Sequence, residues 1–276
     1  MAIRVASLKA PEIAEQNALF AAKTPQDLLA WALSFFDRGV GLCCGFGLEG
    51  VALLDMLMKI DSQARVFTLD TGRLAGETYD LIERCVRKYG TRLELFFPQH
   101  EQVEAMVSAH GINLFYDSVD LRRRCCEVRK VIPLQRALQG FSAWITGLRK
   151  GQSGERSSIS LIEVDNEHEG ILKLNPLANW SEEEVWSYIR ENHVPYNRLY
   201  DQGYASVGCA PCTRPTRPGE DLRAGRWWWE QDQVKECGLH GFSRDKNHPG
   251  ANRNGASGKL PESKSFAPQP GKNGVR

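Results

Sequence analysis

Five of the eight cysteines in this 276-residue chain fall into patterns that chemistry can use. Cys125 and Cys126 are adjacent, Cys209-Ala210-Pro211-Cys212 is a Cys-x-x-Cys turn, and Cys237 stands apart in Lys235-Glu236-Cys237-Gly238-Leu239-His240. A Cys-x-x-Cys in a Pro/Gly-rich loop turns both thiolates to one side, toward one metal centre. Consecutive side chains on a helix point well apart, so an adjacent pair serves a single zinc ion poorly but reaches two irons of a cluster cube. The two pairs together predict a [4Fe-4S] cluster on Cys125, Cys126, Cys209 and Cys212, with zinc, dithiol chemistry or inert cysteines as the alternatives. Cys237 is of a different kind. A thiol beside a lysine, at the edge of the ordered chain, can ionise and move, which suits a nucleophile. Cys43, Cys44 and Cys85 lie in apolar patterns and read as buried structural thiols.

Eight cysteines with no export signal point to a reducing compartment, where paired thiols more often serve metals or redox catalysis than structural bridges. The Met-Ala-Ile-Arg start has no apolar core of a signal sequence, and no apolar run approaches the roughly 20 residues that span a bilayer. The expectation is a soluble, cytoplasmic protein. Net charge is +1, but 241–276 carries seven Lys/Arg against Asp245 and Glu262, so 1–240 is net negative. That excludes a global nucleic-acid-binding charge. No membrane partner is expected, and a homo-oligomer is compatible with the sequence.

The elements that must position these thiols alternate. Thr24-Pro25-Gln26-Asp27 starts a helix with one apolar face. Residues 39–44 read as a buried strand, Gly45-Phe46-Gly47-Leu48-Glu49-Gly50 as a glycine-rich turn, and 51–60 as a helix. Strand, glycine turn and helix aim backbone N–H groups at an anion, although this turn matches neither the Walker pattern nor the dinucleotide fingerprint. Strands at 65–70 and 93–98 alternate with helices at 76–89 and 100–110. The run Arg122 to Lys130 opens a helix that continues to about Leu138, a strand at 143–146 follows, and Gly147 to Arg156 is a basic loop that could grip an anion. A hairpin from 158–165 and 171–174 sits at the sheet edge, and Ser181 to Glu184 is a capping box. The pattern predicts an α/β fold with a doubly wound, mainly parallel twisted sheet flanked by helices. Trp227-Trp228-Trp229 reads as packing against the Cys209 loop, and 241–276 as a disordered basic tail.

Taken together, these stretches closely resemble the assimilatory adenylyl-sulfate reductases, relatives of the phosphoadenylyl-sulfate reductases in the PP-loop (adenine nucleotide alpha-hydrolase) superfamily. The matches include the Gly45 to Glu49 loop, Leu69-Asp70-Thr71-Gly72-Arg73-Leu74, Cys125 to Lys130, Trp144 to Arg149, Gly208-Cys209-Ala210-Pro211-Cys212, Gly225 to Glu230 and the Glu236 to His240 ending. The resemblance implies one reductase domain over 1–240, with an N-terminal arm at 1–23 and a mobile segment at 225–240. It implies reduction of adenylyl sulfate to sulfite and AMP through an S-sulfocysteine on Cys237, resolved by thioredoxin or a glutaredoxin-type reductant.

On this resemblance, Gly45, Phe46, Gly47, Leu48 and Glu49 form the nucleotide loop, and Leu69, Asp70 and Gly72 make adenosine-side contacts. Lys130, Arg149, Arg156, Arg223 and Arg226, with Gly147 beside them, surround the anionic groups, and His240 orients the ending or tunes Cys237. Three departures stand out. Gly45 occupies a place where many relatives have Ser, so a hydroxyl contact is absent or supplied elsewhere. Arg149-Lys150-Gly151-Gln152-Ser153 lacks a carboxylate that relatives often carry, and a long tail follows His240. Competing readings are a preference for the 3′-phosphorylated substrate, a PP-loop nucleotidyl transferase or tRNA-thiolating protein, and an iron–sulfur regulator.

Overall fold

The computed structural model describes residues 8–230 and Leu239, so Cys237, His240 and 241–276 lie outside the described residues. Strands β1 (Val40–Cys43), β2 (Arg65–Leu69), β3 (Leu93–Phe96), β4 (Ala143–Ile145), β5 (Ile162–Asp165) and β6 (Ile171–Leu174) form one sheet in the order β3-β2-β1-β4-β6-β5. All neighbours are parallel except β5 and β6, an antiparallel pair at the edge. The doubly wound sheet and the edge hairpin expected from the sequence are both present.

The sheet forms because its central strands can be buried on both faces. Val40 and Leu42 of β1 and all of β4 are buried, as parallel strands covered by helices must be. Helices α1 (Ala10–Phe20), α2 (Pro25–Phe36), α3 (Leu48–Ile60), α4 (Gly76–Tyr89) and α8 (Glu182–Glu191) all contribute buried side chains to the main core. Each fully buried Leu or Val adds about 1.5–3 kcal/mol. Thr24 and Ser181 cap α2 and α8 through the predicted capping boxes. Asn17 of α1 holds the exposed edge strand, with its amide bonded to Ile162 N and O at 3.0 and 2.8 Å.

The chain runs outward through β1, β2 and β3, crosses α5 (His100–His110), α6 (Val119–Cys126) and α7 (Ile132–Leu138), and returns to β4 beside β1. The carboxyl ends of β1 and β4 are therefore a topological switch point, where open parallel sheets leave a crevice for ligands. No helix among the described residues is long and apolar enough to cross a membrane.

Candidate active site

The crevice is built by the turns that leave β1, β2 and β4. After β1, Cys44 N still bonds Phe67 O at 2.9 Å, and the chain then turns through Gly45, Phe46 and Gly47 into α3. Phe46 is left-handed, with φ 54°, and the burial of its ring holds a conformation that costs a non-glycine residue. At the exit of β4 a Cβ on residue 147 would stand 2.9 Å from Glu49 Cβ, so glycine is needed for the two turns to pass. Arg149 then donates Nε to Glu49 Oε1 at 2.7 Å, with side-chain exposures of 4% and 14%. This buried pair ties the β4 exit to the head of α3.

Two adjoining cavities of about 240 and 200 Å³ occupy the crevice. Gly47, Leu48, Glu49, Gly147 and Arg149 line the first. Phe46, Leu69, Thr71, Lys130 and Cys209 line the second. Cys43, Gly45, Arg156, Arg223, Arg226 and Leu239 line both. Arg226 is 6% exposed, its Nη1 donates to Ser206 Oγ and Val207 O at 3.3 Å, and its Nε has no hydrogen-bond partner. Its guanidinium occupies the space of a side chain at 208, which is why Gly208 stands there.

Asp70 and Gly72 form the turn behind this wall. Asp70 Oδ1 accepts from Gly72 N at 2.8 Å and from Tyr79 OH at 2.9 Å, and Gly72 has φ 67°.

Beside the second cavity lies a pocket lined by all four paired cysteines, with Phe115, Pro211 and Trp227 as its apolar walls. Cys125 and Cys126 end α6, while Cys209 caps and Cys212 ends a single 3-10 turn; all four are at most 9% exposed. The cysteine loop is joined to the β2 exit by Ala210 N to Arg73 O at 2.8 Å and by a bridge between Leu74 and Cys209. Arg122 clasps Glu230 at 2.8 and 2.9 Å and stands 4.7 Å over the Trp227 ring. Arg129 Nη1 donates to Thr71 O at 2.7 Å.

Burial pushes the Cys125 and Cys212 thiols up, Cys212 to about 12. Burial also pushes Cys209 up, but the Lys130 ammonium, the Thr71 hydroxyl 3.3 Å from its sulfur and the Arg226 charge outweigh it and hold Cys209 below the ordinary thiol value. Lys130 thus lines both the crevice and the thiol pocket, and hydrogen-bonds Cys209. Among the described residues no three His, Cys, Asp or Glu side chains are placed to hold a metal ion.

Three expectations are corrected. The helix expected from the Arg122 run to Leu138 forms, but with a π turn at Glu127–Val131, consistent with Pro133, which has no N–H for the helix ladder and whose ring crowds the carbonyl four residues back. Cys43 is only half-buried: it packs against the Phe67–Trp144 cluster and also lines the crevice, since it ends β1 at the switch point. Trp227 is buried in the thiol pocket, but Trp228 is 49% exposed.

Tyr200, Thr71 and Arg122 escaped the sequence reading. Arg122 could have been found: residues 122, 125, 126, 129 and 130 follow the i, i+3, i+4, i+7, i+8 spacing of one helix face, and all line the thiol pocket. Leu239 packs among Phe67, Leu134 and Trp144, which brings the chain two residues past Cys237 to the crevice.

A phosphoadenosine phosphosulfate reductase domain model matches residues 40–215. Over 194 residues the chain is 53% identical to an adenosine 5'-phosphosulfate reductase of Allochromatium vinosum, covering 70% of this chain and 75% of that one. Over 253 residues it is 43% identical to a probable chloroplastic 5'-adenylylsulfate reductase of Oryza sativa subsp. japonica, covering 85% and 53%. A crystal structure of phosphoadenylyl-sulfate reductase from Candida auris in a phosphate complex superposes with TM-score 0.66 and 36% identity, over 75% of this chain and 98% of that one. An FMN adenylyltransferase from Candida glabrata, 15% identical over 85% of this chain and 80% of that one at TM-score 0.51, shares the fold alone.

Proposed function

The chain belongs to the phosphoadenosine phosphosulfate reductase family, and from that premise we propose that it reduces adenylyl sulfate to sulfite and AMP in sulfate assimilation. The observation that carries this reading is the set of guanidinium side chains, Arg156, Arg223 and Arg226, shared by both halves of a crevice that Lys130 connects to the thiol pocket. Such cations neutralise phosphate and sulfate so that an anionic nucleophile can approach.

The Cys237 thiolate attacks the sulfate sulfur, the S–O bond to the phosphate breaks, and its electron pair leaves with AMP. The enzyme then carries Cys237 as an S-sulfocysteine. One thiolate of a thioredoxin or glutaredoxin-type dithiol attacks the Cys237 sulfur, sulfite departs with the S–S electron pair, and the second thiol closes the reductant's disulfide and releases Cys237. The position of Leu239 in the crevice supports Cys237 as the attacking group, with His240 orienting the ending. On the nucleotide side, the Gly45 to Glu49 turn, braced by Arg149, receives the phosphate, and Leu69 flanks the adenosine.

Cys125, Cys126, Cys209 and Cys212 would hold a [4Fe-4S] cluster. The donor set supports it: four buried thiols on one apolar pocket, cations beside them, and a buried Trp227 Nε1 with no hydrogen-bond partner. When bound, the cluster supplies fixed charge that orders and polarises the site beside Lys130.

The test is sulfite release from adenylyl sulfate with a dithiol reductant. Cys237→Ser should lose turnover by roughly 10³ or more while still binding AMP, and sulfite formation at the wild-type rate would sink the mechanism. The kcat/KM for adenylyl sulfate should exceed that for the 3′-phosphorylated form.

A further inference from the structure

The head of α3 would ordinarily offer its first amides to an anion. Here the Leu48 N–H is already taken, by the hydroxyl of Tyr200 at 3.3 Å, across 152 residues of sequence. A phenol that accepts one hydrogen bond still has a proton to donate. Among the described residues that proton has no protein acceptor, and the ring lines the 240 Å³ cavity beside Gly45, Gly47 and Glu49. We propose that Tyr200 is a substrate-binding residue whose hydroxyl, seated on the Leu48 amide, donates to a phosphate oxygen of the bound sulfonucleotide. This rests on the reading of the crevice as a sulfonucleotide site and adds to it a group outside the loop.

The hydroxyl is held in place from three directions. Tyr200 sits in the 3-10 turn Arg198–Gln202, which Asn197 caps by accepting from Leu199 N at 3.0 Å. Asn197, itself 1% exposed, donates to Thr78 Oγ1 of α4 at 3.0 Å and so anchors the turn to the scaffold. Trp186 packs edge-on against the Tyr200 ring, 5.8 Å between centroids. Burial, and then the nearby Glu49 charge, push the phenol well above its ordinary value, so it remains a donor at neutral pH.

The loop itself supplies the control. A side chain at Gly45 would meet nothing within 4 Å, and Gly45 lines both cavities, so a serine there can present a second hydroxyl to the same crevice. The experiment compares wild type, Tyr200→Phe and the double variant Tyr200→Phe/Gly45→Ser by KM for adenylyl sulfate, AMP affinity from calorimetry, kcat and Tm. Tyr200→Phe keeps the ring packing and should weaken AMP and raise KM about tenfold, with a much smaller change in kcat. The added Gly45→Ser should recover most of that loss. AMP affinity and KM within twofold of wild type in Tyr200→Phe overturns the proposal. So does a double variant that matches the single variant in Tm and recovers none of the binding, because the hydroxyl then serves only to hold Leu48. A wild-type protein that binds neither AMP nor adenylyl sulfate brings down the functional reading, and this inference with it.

Discussion

The crevice and the thiol pocket lie on either side of Lys130 and both draw on arginine, but they differ in whether every guanidinium is satisfied. Around the thiols the guanidinium groups are clasped by the protein: Arg122 by Glu230, and Arg129 by the Thr71 carbonyl. In the crevice Arg149 is likewise committed to Glu49, but Arg226 keeps a buried Nε without a hydrogen-bond partner, and the walls carry hydroxyls and glycine turns. A clasped guanidinium fixes charge and geometry. An under-satisfied one leaves interaction free energy for a ligand to recover. On the proposed reading the first region holds a resident group, and the second binds and releases substrate.

The sharpest way to break this contrast is to remove a thiol. Cys212→Ser should lose iron and sulfide, expected at about four of each per wild-type chain, and turnover should fall by more than the roughly 10- to 100-fold typical of outer-shell changes. AMP affinity should change far less; equal loss of both would mean that the two regions are one. Next comes the clasp. Glu230→Gln leaves Arg122 charged in a site where the pair's side chains are 1% and 2% exposed, and should destabilise by about 3–5 kcal/mol in urea unfolding. Replacing both with apolar residues should regain much of that, as expected where pairing offsets desolvation. Arg226→Lys should raise KM for adenylyl sulfate about tenfold with unchanged iron content, since a lysine cannot reproduce the forked donor.

The smallest effect tests a third place, behind the crevice floor. Asp165 accepts from Trp144 Nε1 at 3.0 Å and pairs with His168 at 2.9 Å. Burial pushes its carboxyl up, but His168 and Lys173 outweigh that and hold it below its ordinary 3.8. A depressed carboxyl contributes stability that is complete above the unfolded value and lost as pH falls through the folded one. In His168→Gln the folded value rises, so acid unfolding followed by tryptophan fluorescence should begin at a higher pH, with crevice and thiol pocket unaffected near neutrality.

Much of this was legible in the chain. Strands expected at 39–44, 65–70, 93–98 and 143–146 lie at Val40–Cys43, Arg65–Leu69, Leu93–Phe96 and Ala143–Ile145, because apolar runs between turn residues admit few alternatives. The helix after the glycine turn begins at Leu48 rather than 51, since the turn closes on Gly47 as its cap. The π turn had a visible cause in Pro133, yet its consequence depended on what packs around it. Arg149, expected to grip an anion, was readable as a cation, but its commitment to Glu49 was not.

By itself the sequence determined the alternation of elements, the paired thiols and the family resemblance, because each is written in neighbours a few residues apart. Only the tertiary structure decided which cation meets which thiol, that Cys209 is held low while Cys212 is pushed up within one turn, and that Tyr200 reaches the Leu48 amide. Charge interactions and hydrogen bonds depend on distance and on exclusion of water, and neither exists until segments far apart in the chain, such as Leu48 and Tyr200, are packed together.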